Sequence, residues 1–176
     1  AVVNITGGTL SSTQDGTGQV ISGYNSGTLN FGGDAQIIAT DTQGITTQDN
    51  IIVNITGGEI WVNNTKHSGR TTAISIDENT KLEVAGGKIT SVQGAVLQVE
   101  GSATAEISSG EFISESKGYN PKSAVIVDDT ANVTIKGGSF SDSAEKGTIE
   151  KADNQATVVI SGGVFSSLPA ENLLAE

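Results

Sequence analysis

"NVTIKGGSFS", Asn132 to Ser141, reads as an alternating strand, a pair of glycines, and a second alternating strand opened by a phenylalanine. Successive side chains of a strand point to opposite faces. Val133 and Ile135 therefore share one face, and Phe140 rejoins it beyond the glycines. Near copies recur along the chain: "NITGGTLSS" from Asn4, "NITGGEIWV" from Asn54, "EVAGGKITS" from Glu83, "EISSGEFIS" from Glu106 and "VISGGVFSS" from Val159. The last apolar residue before each glycine corner forms a series of anchors: Ile5, Phe31, Ile55, Val84, Ile107, Ile135 and Ile160. Their intervals are 26, 24, 29, 23, 28 and 25 residues. A nearly constant period of this length marks a solenoid, whose units bury their apolar faces by stacking on their neighbours.

Two residues before the anchors stand Val3, Leu29, Val53, Leu82, Ala105, Val133 and Val158. Five residues after them come Leu10, Ile60, Ile89, Phe112, Phe140 and Phe165, the second unit departing with "AQIIAT" in a phase of its own. In the middle units Ile74 and Ile76, Leu97 and Val99, and Val125 and Val127 mark a third strand ahead of the anchor. Equivalent strands one period apart run parallel, and parallel crossovers are right-handed in nearly all proteins. The expected fold is all-β: a right-handed, single-stranded parallel β-helix over residues 1–168, of about seven coils with three short strands each. The segment 169–176 carries Pro169, suited to a first helical position, and Leu173 and Leu174, and is expected to cap the last coil. At the other end Ala1 enters directly in a strand pattern with no cap, so that end is expected to continue into further chain or to meet another molecule.

The composition agrees with this architecture. In 176 residues there are 23 glycines and 2 prolines, with 4% aromatics, the make-up of strands and tight turns rather than helices. The repeated glycine pairs lack the following helix and Lys of a phosphate-binding loop and read as corners. Nine basic against 20 acidic residues give a net charge of −11, which repels nucleic-acid phosphates and anionic lipid surfaces. No apolar run is long enough to insert in a bilayer as a helix. The absence of Cys removes a disulfide framework, a thiolate zinc site and a Cys nucleophile.

The apolar-x-Gly-Gly-x-Phe-Ser phrase, clearest from Ile135 to Ser141 and from Ile160 to Ser166, resembles the GG-x-F β-helix repeats of large surface proteins of gut and rumen Firmicutes. The resemblance covers essentially the whole chain. It implies a pectate-lyase-like solenoid segment, an extracellular or cell-surface bacterial location, and neighbouring domains in a larger protein. More loosely, the chain is similar to calcium-containing β-helix modules of cellulolytic clostridia that bind cellulose or pectin.

Three groups of residues bear on function. Seven residues before the last four anchors lie Asp77, Glu100, Asp128 and Asp153, with Glu78 and Asp129 beside them. In one register they form a ridge of acids on successive coils, either a solvated turn column or a set of oxygen ligands for calcium. Trp61 follows the inward Ile60 and so faces outward with Asn63; His67 and Arg70 lie in the loop of the same coil, and Tyr119 in a loop two coils along. An exposed aromatic beside amides and charges is what binding to a polysaccharide or host glycan requires. For lyase chemistry the only Arg and the only His, Arg70 and His67, would have to meet clustered acids, and nothing in their placement brings this about. A hydrolase would need paired carboxyls in a cleft. The leading expectation is a non-catalytic structural or adhesive module of a surface protein, with carbohydrate binding as the alternative and a polysaccharide lyase-like enzyme third.

Overall fold

The computed structural model describes residues 1–13, 18–64, 72–115, 122–142, 147–167 and 173. The first coil contributes β1 (Val2–Ile5), β2 (Thr9–Thr13) and β3 (Gln19–Gly23), and the second β4 (Ser26–Phe31), β5 (Gln36–Thr40) and β6 (Gln43–Thr47). In the next three coils the strand runs unbroken through the glycine corner: β7 (Asn50–Asn63) is followed by β8 (Ile74–Ile76), β9 (Lys81–Ser91) by β10 (Leu97–Val99), and β11 (Thr104–Ser114) by β12 (Val125–Val127). The last two coils comprise β13 (Asn132–Ile135), β14 (Ser139–Ser141), β15 (Ile149–Lys151), β16 (Thr157–Ile160) and β17 (Val164–Phe165).

These strands stack into three walls, all paired in parallel. One wall runs β1-β4-β7-β9-β11-β13-β16; a second runs from β2 and β5 through the distal halves of β7, β9 and β11 to β14 and β17. The third runs β3-β6-β8-β10-β12-β15. Seven strands on two walls and six on the third make a parallel β-helix of about six complete turns.

Register follows the apolar phase of the sequence. Ile5, Phe31, Ile55, Val84, Ile107, Ile135 and Ile160 stack as one interior column, and Val3 to Val158 as the column two residues earlier. On the second wall Leu10, Ile37, Ile60, Ile89, Phe112, Phe140 and Phe165 align. The second coil therefore keeps this wall, with Ile37 six residues after Phe31 instead of five. Its corner is simply one residue longer, through Asp34 and Ala35. A one-residue slip would turn the apolar set to solvent, so the extra residue is absorbed in the corner and the strand keeps its register.

The corner needs its two glycines for different reasons. Gly138 has a φ of 101°, a left-handed conformation that side chains rarely adopt. A Cβ on Gly137 would strike the carbonyl oxygen of Ser108 in the coil beneath, because successive corners stack backbone on backbone. Of the capping segment only Leu173 falls among the described residues, where it packs against the core.

Candidate functional site

The acid ridge lies at the turn between the third wall and the first. Asp77, Glu100 and Asp128 occupy one register, each donating its backbone N–H to the last strand residue of the preceding coil: to Thr47 at 3.0 Å, Ile76 at 2.9 Å and Val99 at 2.9 Å. Asp153 does not continue this row. The equivalent bond in its coil, to Val127 at 2.8 Å, comes from Ala152. The turn after β15 spans residues 152–156, one more than the turn 128–131 after β12, so counting back from Ile160 lands one residue late.

Beside this row stands a second column, Asn25, Asp49, Glu78, Gly101 and Asp129, all with positive φ between 52° and 69°. Asn and Asp tolerate this conformation because a short polar side chain bonds locally. Such bonds are present: Asp77 Oδ1 accepts the Glu78 N–H at 2.6 Å, and Asp128 Oδ1 accepts the Asp129 N–H at 2.9 Å. Between coils, Asp49 Oδ2 accepts the Asn25 N–H at 2.7 Å and Asp129 Oδ2 the Gly101 N–H at 3.0 Å. Asp153 Oδ1 accepts from the Gln155 N–H at 2.7 Å within its own longer turn.

Crowding of like charge perturbs two carboxyls. Glu78 is pushed above its ordinary value by the hydrogen bond and charge of Asp49, with a further contribution from Asp77. Glu100 is pushed up first by burial and then by the charge of Asp77, against the bond donated by the Gln98 amide at 2.9 Å, which favours its ionised form. Among the described residues no three His, Cys, Asp or Glu side chains converge as a metal site. Of the five expected calcium ligands, Asp77, Asp128, Asp129 and Asp153 each spend an oxygen on a backbone N–H, and Glu100 takes the Gln98 amide.

The second wall bears the aromatic face. Alternation along β7 buries Ile60 and Val62 and leaves Glu59, Trp61 and Asn63 half-buried on the outside. Trp61 stands in an outward row between Ile38 and Thr90. Its ring, with Gln36, Ile38 and Glu59, borders a shallow hollow of about 270 Å³. Asn63 is aligned with Thr40, and its Oδ1 is shielded from solvent without a hydrogen-bond partner among the described residues. His67, Arg70 and Tyr119 lie outside the described residues, so the structure joins only Trp61 and Asn63 of that expected group.

Two features escape a motif-by-motif reading. Asn4, Asn30 and Asn54 form an amide ladder on the outer face of the first wall: Asn54 donates to Asn30 Oδ1 at 2.8 Å, and Asn30 to Asn4 Oδ1 at 2.6 Å. Each stands one residue before an anchor, and that shared offset is the signal in the sequence. The second feature is where chain length varies. Between the second and third walls the connections range from two residues (41–42) to ten (64–73 and 115–124), while the turns from the third wall to the first hold two to five. Buried hydroxyls brace the variable corner: Ser114 Oγ lies 3.0 Å from the carbonyl oxygens of both Gly94 and Lys122, and Ser91 Oγ accepts the Gly94 N–H at 3.1 Å.

Comparison with models of known families, with curated proteins and with solved structures finds no match to this chain.

Proposed function

We propose that the chain is a non-catalytic structural module of an extracellular or cell-surface bacterial protein: a rod that presents segments of differing length along one corner. The observation that carries this reading is the concentration of length variation between the second and third walls, on a frame whose interior columns stay in register from the first coil to the last. A surface loop tolerates insertion far better than a paired strand does, so a corner where lengths vary is a place for display. Adhesive contacts of the module and its attachment to neighbouring domains belong to the same reading. The test is to replace residues 65–71, and separately 116–121, by a Gly-Gly link. A display role predicts that each shortened rod keeps its β-rich circular dichroism and melts within a few degrees of the parent. Loss of cooperative melting in either would show that those segments belong to the folding unit, and the reading would fail.

A second reading, a carbohydrate-binding module for plant or host polysaccharide, draws support from the half-buried Trp61 ring beside Gln36 and Glu59. Aromatic faces pack on the apolar side of sugars while neighbouring amides and carboxylates meet the hydroxyls. Retention on a panel of immobilised polysaccharides, lost in Trp61→Ala, is the expected result; no retention of the parent chain by any of them removes this reading.

A further inference from the structure

We propose that the outer face of the second wall is a self-association surface, on which a second copy of this chain packs face to face with its rod reversed. Two rows of side chains cross that face from coil to coil. One runs Thr9, Gln36, Glu59, Lys88, Glu111 and Ser139, the other Ser11, Ile38, Trp61, Thr90, Ile113 and Ser141. The second of these is an apolar stripe: Ile38 is 38% exposed, Trp61 and Ile113 are half-buried, and between these two the short Thr90 is 5% exposed. The first is charged at its centre. Lys88 stands between Glu59 and Glu111 but makes no ion pair among the described residues.

The pattern of charge selects the occupant. A two-fold axis lying in the face along the strand direction, between the third and fourth coils, sets Glu59 opposite Lys88 of the second copy and Lys88 opposite its Glu59. The same operation sets Gln36 opposite Glu111, Ile38 opposite Ile113 and Trp61 opposite Thr90. A shift of one coil either way opposes Lys88 to Lys88 or Glu59 to Glu59, and rods laid parallel would put Lys88 opposite Val92. The reversed arrangement at this register therefore matches charge to charge and apolar to apolar, as two β faces do when they pack about 10 Å apart with strands nearly aligned. One cation against two acids leaves these rows at −1 in a chain of −11, so like-charged rods meet here at little cost. On the first wall the polar groups are already spent within the chain: the Asn4, Asn30 and Asn54 amides bond one another, and Lys136 bonds Glu106 at 2.7 Å. The overlap of the first six coils measures roughly 29 by 16 Å, or about 450 Å² per copy. That is about half a standard interface, so the dimer is weak and reversible.

Sedimentation velocity of the 176-residue chain over roughly 1 to 500 µM should show a species of twice 17.9 kDa growing with concentration. Lys88→Glu and Glu59→Lys should each return the chain to the monomer, with circular dichroism and melting midpoint close to the parent's, because each opposes like charges across the axis. Mixing the two variants should restore a dimer, since the facing pairs are again opposite in sign. Lys81→Glu, on the outer face of the first wall, should leave the parent's dimer intact. A parent that stays monomeric at the highest concentration overturns the inference, as does a dimer that survives either single substitution or a mixture of the two variants that stays monomeric. A polysaccharide seated on Trp61 would take the same face, so a parent retained on a polysaccharide yet monomeric throughout overturns the dimer and leaves the carbohydrate reading standing.

Discussion

Phe112 and Phe140, one coil apart, stack with ring centroids 4.7 Å apart and planes 15° from parallel, and Phe165 continues the pile at 5.1 Å. Phe140 is the middle ring and is buried on both faces; Phe165, in the last coil, is only half-buried. Phe140→Ala should cost about 3 to 5 kcal/mol, the range for removing a buried aromatic from a core that does not fully collapse. Phe165→Ala should cost clearly less. Urea unfolding midpoints of the two variants rank them directly.

Two glycines at equivalent corners should respond oppositely. Gly7 has open space around a Cβ and no positive φ, so Gly7→Ala should be neutral or slightly stabilising. Gly137→Ala drives a methyl into the Ser108 carbonyl and should destabilise by about 1 to 3 kcal/mol, as overpacking does. Equal melting midpoints for the two variants would mean that the corners do not stack backbone on backbone as described.

The acid turns make stability depend on pH in a stated direction. Glu78 and Glu100 both lie above the ordinary value of 4.5 in the folded chain, so the folded state holds their protons more tightly than the unfolded state does. Their contribution is therefore fully present below pH 4.5 and is lost as pH rises through their folded values. Acidification from pH 7 toward 5 should raise the melting midpoint. Glu100→Gln, which keeps a partner for Gln98, and Glu78→Asn, which suits a φ of 54° and removes a charge, should each raise the midpoint at pH 7 and show a weaker response to pH.

Divalent cations separate a site from a screened surface. Because the turn acids bond local N–H groups and do not converge, calcium and magnesium at equal ionic strength should raise the midpoint by the same small amount, and EDTA should leave the salt-matched chain unchanged. A rise specific to calcium would reveal a site, since a ligand held only by the folded state stabilises it in proportion to its affinity.

How much of this could be read from residues alone depended on whether a feature obeys the period. The columns from Ile5 to Ile160 and from Val3 to Val158 are legible because every interior position must be apolar and strand pairing forbids drift. The third wall shows in the middle coils, where Ile74, Leu97 and Val125 keep a constant offset, and blurs at Ile149, where the longer turn shifts it by one. The same extra residue moves Asp153 out of the acid row. Backbone conformation was the least legible layer: Glu78 shares the left-handed column with Asn25 and Asp49, yet glutamate carries no such preference in sequence. For the Trp61 face, alternation assigns the outward side chains but not how closely Gln36 and Ile38 crowd the ring, since that rests on the shifted phase of the second coil.

The parallel ladders also set how the rod would yield to a pull. Their hydrogen bonds lie along the long axis, so tension between the two ends opens an end coil before the middle is disturbed. Each peeled coil frees 23 to 29 residues, about 80 to 100 Å of extended chain. A molecule built this way lengthens in steps of nearly equal size and gives way one coil at a time, a shock absorber graded by its own repeat.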